Sequence, residues 1–159
     1  VDTPGAYPGI DSEERGQSEA IANNLGVMSS LKTPILVNII GEGGSGGALA
    51  IGVGDHVAML EYAIYSVASP EACAAIIWRD PNKASEAAEA MQLNSEGILK
   101  LKLIDEVIEE PLGGSHRNPD KAALLLKKSI VTNLDELRIQ PIEGLIEKRY
   151  ERLMSFGKN

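Results

Sequence analysis

The sequence predicts an α/β domain, because short apolar runs typical of buried strands alternate along the chain with segments at helical spacing. The first such run, residues 35–40 (ILVNII), is nearly unbroken and follows a Thr-Pro pair that ends the preceding helix. With 159 residues, of which 43% are hydrophobic and 24% charged, the chain is long enough for one domain with a core and is not of disordered composition.

The N-terminal elements are a loop and a helix. Residues 2–16 contain two prolines and three glycines, which favour a loop. Ser12 is the expected N-cap of a helix that has acidic residues in its first turn and ends before Thr33. Three apolar residues share one face of that helix: Ile21, Leu25 and Met28.

The middle of the chain alternates between short strands and short helices. Further strands are expected at residues 56–60, 64–67 and 103–108. Short helices are expected at residues 48–53, 83–91 and 95–100. Another helix begins at Ser69-Pro70-Glu71, a capping residue followed by proline at the first helical position, and ends before Asp80.

The C-terminal part is predicted to be helical and charged, with helices at residues 120–137 and 142–154 after a loop at 111–119. One face of the last helix consists of Ile142, Leu145, Ile146, Tyr150 and Leu153. We therefore expect a core at residues 1–118 and a helical extension at 119–159. Val1 resembles the end of a buried strand, so we expect the core to be truncated on its N-terminal side.

Charge and cysteine content exclude several classes of protein. The formal net charge is −8, and no cluster of Lys and Arg provides the basic face that a nucleic acid needs. Cys73 is the single cysteine, which excludes a disulfide within the chain and suggests a reducing compartment. No apolar run in the sequence has the length of a membrane span.

The segment after the first strand, GEGGSGGALAIG at residues 41–52, satisfies two short motifs. Gly41, Gly43 and Gly46 have the G-x-G-x-x-G spacing of dinucleotide-binding loops, and Glu61 follows about twenty residues on. The helix that follows the loop, however, is too short for the crossover that a dinucleotide fold needs.

The same segment also has the G-x-S-x-G spacing of a serine hydrolase, formed by Gly43, Ser45 and Gly47. Asp105 and His116 follow in the order of a catalytic triad. Neither His116 nor the other histidine, His56, has a visible orienting partner, so this motif is weak evidence.

A third interpretation needs no side chain. Consecutive glycines at a helix start expose backbone N–H groups, which can stabilise an oxyanion formed during a reaction. Alternatively, the glycines only allow close packing between the helix and the sheet. The loop by itself leaves both interpretations open.

Five segments taken in order resemble the carboxyltransferase α subunit of multi-subunit acetyl-CoA carboxylase, of the bacterial and plastid type. They are DTPGAYPG, EERGQSEAIA, IIGEGGSGGALAIGVGD, YSVASPEACAAIIW and EPLGGSHRNP. The resemblance covers nearly the whole chain and is far more specific than either short motif. It implies the crotonase (ClpP-like) fold, which is built of repeated ββα units.

The resemblance also implies an activity and partners. The family moves a carboxyl group from carboxybiotin, held by biotin carboxyl carrier protein, to acetyl-CoA, giving malonyl-CoA for fatty acid synthesis. The expected partners are a carboxyltransferase β subunit in an α2β2 assembly, the carrier protein and biotin carboxylase. No metal is expected in this chain, because the family's zinc-binding cysteines belong to the β subunit. Bacterial cytoplasm and plastid stroma both fit.

The site residues implied by the resemblance lie in the two glycine-containing loops. The expected backbone donors to the biotin oxyanion are Gly46, Gly47 and Ala48, opposed by Gly5 and Ala6. The residues expected to surround biotin are Tyr7, Gly43, Gly44 and Ser45.

Other roles are predicted from the residues themselves. Glu42 is expected to orient the glycine loop or to face the partner subunit, and Trp78 and Cys73 are expected in the core. Two alternatives to a carboxyltransferase remain: a serine hydrolase of ClpP-like fold that uses Ser45, and a non-catalytic remnant.

Overall fold

The computed structural model describes residues 1–158, which contain eight α-helices and five short strands. The helices are α1 Ile10–Glu14, α2 Gln17–Ser30, α3 Ser45–Ile51, α4 Pro70–Trp78, α5 Ala84–Met91, α6 Ser95–Lys100, α7 Pro119–Arg138 and α8 Ile142–Ser155. The strands are β1 Leu36–Ile39, β2 Glu42–Gly44, β3 His56–Leu60, β4 Ile64–Ser66 and β5 Glu106–Ile108. The predicted alternation of strands and helices is confirmed.

The strands form two small parallel sheets. One has the order β1-β3-β5, with Val37 opposite Val57 and Met59 opposite Val107. The other pairs β2 with β4. Four consecutive residues of β3 are buried, because the central strand of a parallel sheet is covered on both faces. The core residues around this sheet are Val37, Ile39, Val57, Ala58, Met59, Leu60, Ala63, Ile98, Ile104 and Ile108.

Residues 1–3 run alongside the two sheets. The N–H of Ile40 donates to the carbonyl of Val1 at 2.9 Å, and Thr3 forms a parallel bridge with Gly43. The chain therefore passes from the edge of β1 to the edge of β2 before it turns into the first loop.

The N-terminal helix differs from the prediction. A single helix beginning at Ser12 was expected, but α1 and α2 are separate and meet at Gly16, whose φ is +77°. A left-handed residue cannot continue a helix, and glycine adopts that conformation without strain. The N-cap of α1 is Gly9, and Ser12 is buried inside α1.

Three other features of the helices and strands and two side-chain burials were predicted wrongly. Residues 42–44 form strand β2 and not a loop, and α3 begins at Ser45, three residues earlier than expected. The last strand begins at Glu106 and not at residue 103.

Trp78, expected in the core, is 40% exposed, and Tyr150 lies on the exposed side of α8. The buried residues of α8 are Leu145 and Arg149.

The start of α4 agrees with the prediction. The hydroxyl of Ser69 accepts a hydrogen bond from the N–H of Ala72 at 3.2 Å, and Pro70 occupies the first helical position. Local capping chemistry determines this boundary, which is why the sequence predicted it.

Candidate functional site

Two backbone segments lie against each other beside the parallel sheets. We call residues 2–9 the first loop and residues 41–47 the glycine loop. The N–H of Thr3 donates to the carbonyl of Glu42 at 2.6 Å, and the N–H of Gly44 donates to the carbonyl of Thr3 at 2.8 Å. In addition, the N–H of Glu42 donates to the Asp2 carboxylate at 3.0 Å. The backbone of Glu42 thus joins the loops, while its side chain is exposed.

Two glycines allow this close approach. A Cβ atom on Gly44 would overlap with the carbonyl oxygen of Pro4, and one on Gly47 would lie 2.8 Å from the carbonyl carbon of Gly5. Gly46 is different, because a Cβ there would lie 3.6 Å from the nearest atom, on Ile21, in ordinary van der Waals contact. Packing therefore accounts for Gly44 and Gly47, whereas Gly46 is not required by packing.

Several N–H groups at the start of α3 lack an acceptor within the helix. Across the described residues, no side chain caps α3, and Gly44, its N-cap, donates to Thr3. By helix geometry the N–H of Ala48 is the first to bond back within the helix, to the carbonyl of Gly44. Of the predicted donors in this turn, Gly46 and Gly47 therefore have N–H groups available for a ligand, and Ala48 does not.

The opposing donor comes from the first loop. A Cβ on Gly47 would lie 3.1 Å from the backbone nitrogen of Ala6, so this amide borders the first turn of α3. The N–H of Gly5 already donates to the Thr3 hydroxyl at 3.3 Å, and Gly5 has a φ of +141° that favours glycine. The structure thus brings the predicted donors of both loops together, with Ala6 as the better-placed member of its pair.

The aromatic residue next to the glycine loop is Tyr65. It pairs with Gly43 in the β2–β4 register, and its ring lies 2.9 Å from where a Cβ on Gly43 would be. Burial raises the pKa of its phenol, and the nearby charge of Arg152 acts in the opposite direction. Tyr7, which was predicted to flank the ligand, is 72% exposed and packs over Gly9. Sequence reasoning missed Tyr65. The feature of the sequence that could have indicated it is a tyrosine in the predicted strand at residues 64–67, which pairs with the glycine loop.

A cavity of about 400 Å³ opens beside the start of α3. Ser45, Gly46 and Leu49 of α3 form one wall, and Tyr65 on β4 forms another. Phe156, which follows the end of α8, also lines the cavity. The cavity is mainly apolar and borders the available N–H of Gly46.

The other chemistries suggested by the glycine loop are not assembled. The Asp105 carboxylate binds Arg152 and accepts a 2.8 Å hydrogen bond from the N–H of Val57. His116 lines a different cavity, with Leu60, and neither histidine borders the cavity beside Ser45. The Glu61 carboxylate accepts from the N–H of Glu110 at 3.1 Å. The structure therefore does not bring the predicted triad together, and Glu61 has a structural partner.

Within residues 1–158, no group of three or more His, Cys, Asp or Glu side chains could hold a metal ion. Over the same range, none of the helices combines the length and apolar character needed to cross a bilayer.

Comparison with known proteins shows the family of the chain. Residues 1–157 match the acetyl co-enzyme A carboxylase carboxyltransferase-like family. The chain belongs to this family.

Two curated relatives illustrate the similarity. This member of the carboxyltransferase-like family is 60% identical over 157 residues to the acetyl-coenzyme A carboxylase carboxyl transferase subunit alpha of Tolumonas auensis. It is equally similar to the protein of the same name from Alcanivorax borkumensis. Each match covers 99% of this chain and 49% of the relative, so the chain spans about half the length of the curated relatives that it matches.

Solved structures show the same fold at low sequence identity. A Pseudomonas malonate decarboxylase hetero-tetramer in complex with coenzyme A superposes with a TM-score of 0.74 at 18% identity, covering 98% of this chain and 62% of that one. The transcarboxylase 12S structure with methylmalonyl-coenzyme A bound has a TM-score of 0.73 at 20% identity, covering 89% of this chain and 27% of that one. The predicted crotonase-type α/β fold of this family member is confirmed.

Proposed function

We propose that this chain is part of a carboxyltransferase subunit that moves a carboxyl group from carboxybiotin to acetyl-CoA, forming malonyl-CoA. The observation that supports the proposal most directly is the contact between the two loops, which places the amide of Ala6 beside Gly47. Backbone donors held by packing can bind a developing oxyanion without reorganising during the reaction.

The residues around the loops fit the biotin head group. Carboxybiotin, when bound, supplies the carboxyl group and a ureido oxygen that gains negative charge as this group leaves. The N–H groups of Gly46 and Gly47 on one side and of Ala6 on the other would donate to that oxygen. The apolar cavity beside Gly46 would take the ring system, with Tyr65 and Ser45 along its wall.

The partners and the second substrate belong to the same proposal. The relatives are named as α subunits, and the malonate decarboxylase structure is a hetero-tetramer with coenzyme A. We therefore propose that acetyl-CoA binds mainly to a β subunit in an α2β2 assembly, and that biotin carboxyl carrier protein presents the biotin loaded by biotin carboxylase. Cytoplasm or plastid stroma is the proposed location.

The proposal is tested with the full-length protein assembled with its β subunit, by following malonyl-CoA formation. A complex of folded subunits that forms no malonyl-CoA would refute it. Ser45→Ala is expected to keep most of the activity, because the proposed role of this residue is to border the cavity and not to attack the substrate. Complete loss of turnover in Ser45→Ala, with the fold intact, would instead favour a serine hydrolase.

A further inference from the structure

The C-terminal end of α8 lies next to the glycine loop, although more than a hundred residues separate them in the sequence. Phe156 lines the same cavity as Ser45 and Gly46, and this residue is 40% exposed. A residue at this place contacts both the cavity and the surrounding solvent. Because Phe156 is not part of the buried core, its replacement is expected to change the cavity lining and not the core.

Phe156 contacts the guanidinium of Arg152. The guanidinium carbon of Arg152 lies 5.7 Å from the centre of the Phe156 ring, within the range of a cation–π contact. Arg152 itself is held by the Asp105 carboxylate and by the carbonyl of Leu103, to which it donates at 3.1 Å. Asp105 in turn accepts a hydrogen bond from Val57 on β3. The ring is therefore positioned by a chain of contacts that begins on the central sheet.

We propose that Phe156 is a specificity-determining residue that forms the outer wall of the biotin-binding cavity, with Arg152 as its positioning residue. This inference rests on the proposed function, and it adds a contribution from the end of α8 that neither loop supplies. The cavity volume of about 400 Å³ lies within the range of small-molecule sites. An apolar ring at the cavity mouth would cover the apolar face of the biotin bicycle and exclude water from it.

The test uses the full-length protein in complex with its β subunit and biocytin as the free biotin probe. In the reverse reaction, malonyl-CoA loses its carboxyl group to the ureido nitrogen of biocytin, and the proton from that nitrogen moves to the methyl carbon of acetyl-CoA. The loss of malonyl-CoA is measured at varied biocytin and at varied malonyl-CoA concentrations. The two KM values then report separately on the two substrates.

Phe156→Ala is expected to raise the KM for biocytin and to leave the KM for malonyl-CoA unchanged. If the ring covers about 50 Å² of ligand, its loss weakens binding about tenfold. Phe156→Tyr keeps the ring and is expected to behave as the wild type. Met154→Ala is the matched control, because Met154 is similarly exposed on α8 and does not line the cavity.

Three results would contradict the inference. An unchanged KM for biocytin in a folded, active Phe156→Ala complex would overturn the wall assignment. A raised KM for malonyl-CoA alone would show that the cavity takes the acyl-CoA and not biotin. Absence of turnover in the wild-type complex would refute the proposed function, and the inference with it, so the two failures are distinguishable.

Discussion

Replacement of Arg149 by Met tests the buried ion pair between Arg149 and Asp55. Both side chains of the Arg149–Asp55 pair are almost fully buried, with exposures of 0% and 3%. All five N–H groups of the guanidinium donate, two to the Asp55 carboxylate and three to the carbonyls of Met28, Leu31 and Thr33. This one side chain joins α8 to the end of α2 and to the residue preceding β3.

The expected loss in the free energy of unfolding is about 3–5 kcal/mol, the range for breaking a buried ion pair by removing one partner. Arg149→Met leaves the Asp55 carboxylate buried, with the N–H of Ile35 at 2.8 Å as its remaining donor. Arg149→Lys provides three N–H donors where arginine provides five, so a smaller but clear loss is expected. Denaturant unfolding followed by circular dichroism measures these differences.

An exposed arginine on the neighbouring helix provides the control. Arg138 pairs with Asp135 at 3.5 Å, with exposures of 66% and 65%, so Arg138→Met is expected to cost about 0–1 kcal/mol. A loss for Arg149→Met no larger than the loss for this control would refute the reasoning. Asp55→Asn combined with Arg149→Met should recover part of the loss, because it removes the unpaired buried charge.

Two further predictions concern the glycine loop and Glu110. Gly47→Ala is expected to displace Gly5 and to lower carboxyl transfer about 10²–10³-fold, the effect of losing one oxyanion donor. A Gly47→Ala variant as active as the wild type would contradict this prediction. Gly46→Ala is the control, because Gly46 has room for the added methyl group and the variant should fold as the wild type. For Glu110, burial raises the pKa, but the Ser115 hydroxyl and the N–H groups of Tyr62 and Ser115 together hold it below its usual range. A lowered pKa in the folded state gives stability that is present above the ordinary glutamate pKa and is lost as pH falls through the folded value. The stability difference between wild type and Glu110→Gln should therefore shrink in acid, and a difference independent of pH would contradict it.

Much of the fold could be predicted because its signals are local. The strands at residues 35–40 and 56–60 are apolar runs, and Ser69-Pro70 caps a helix within four residues of chain. The break at Gly16 was missed because both flanking segments have helical composition. Trp78 was misplaced because burial depends on which elements cover α4, and composition does not report this.

The family, the α/β order of elements and the two glycine-containing loops could be predicted from the sequence, because their signals are motifs and patterns that can be read along the chain. Which amides are available depends on tertiary packing and helix geometry: Gly44 donates to Thr3 of the first loop, Ala48 bonds within α3, and the N–H groups of Gly46 and Gly47 remain available. Tertiary packing also brings Arg149 to Asp55, 94 residues away, and places Phe156 at the cavity that Ser45 and Gly46 line. Contacts of this kind form only when distant elements pack, so their partners cannot be inferred from spacing along one chain.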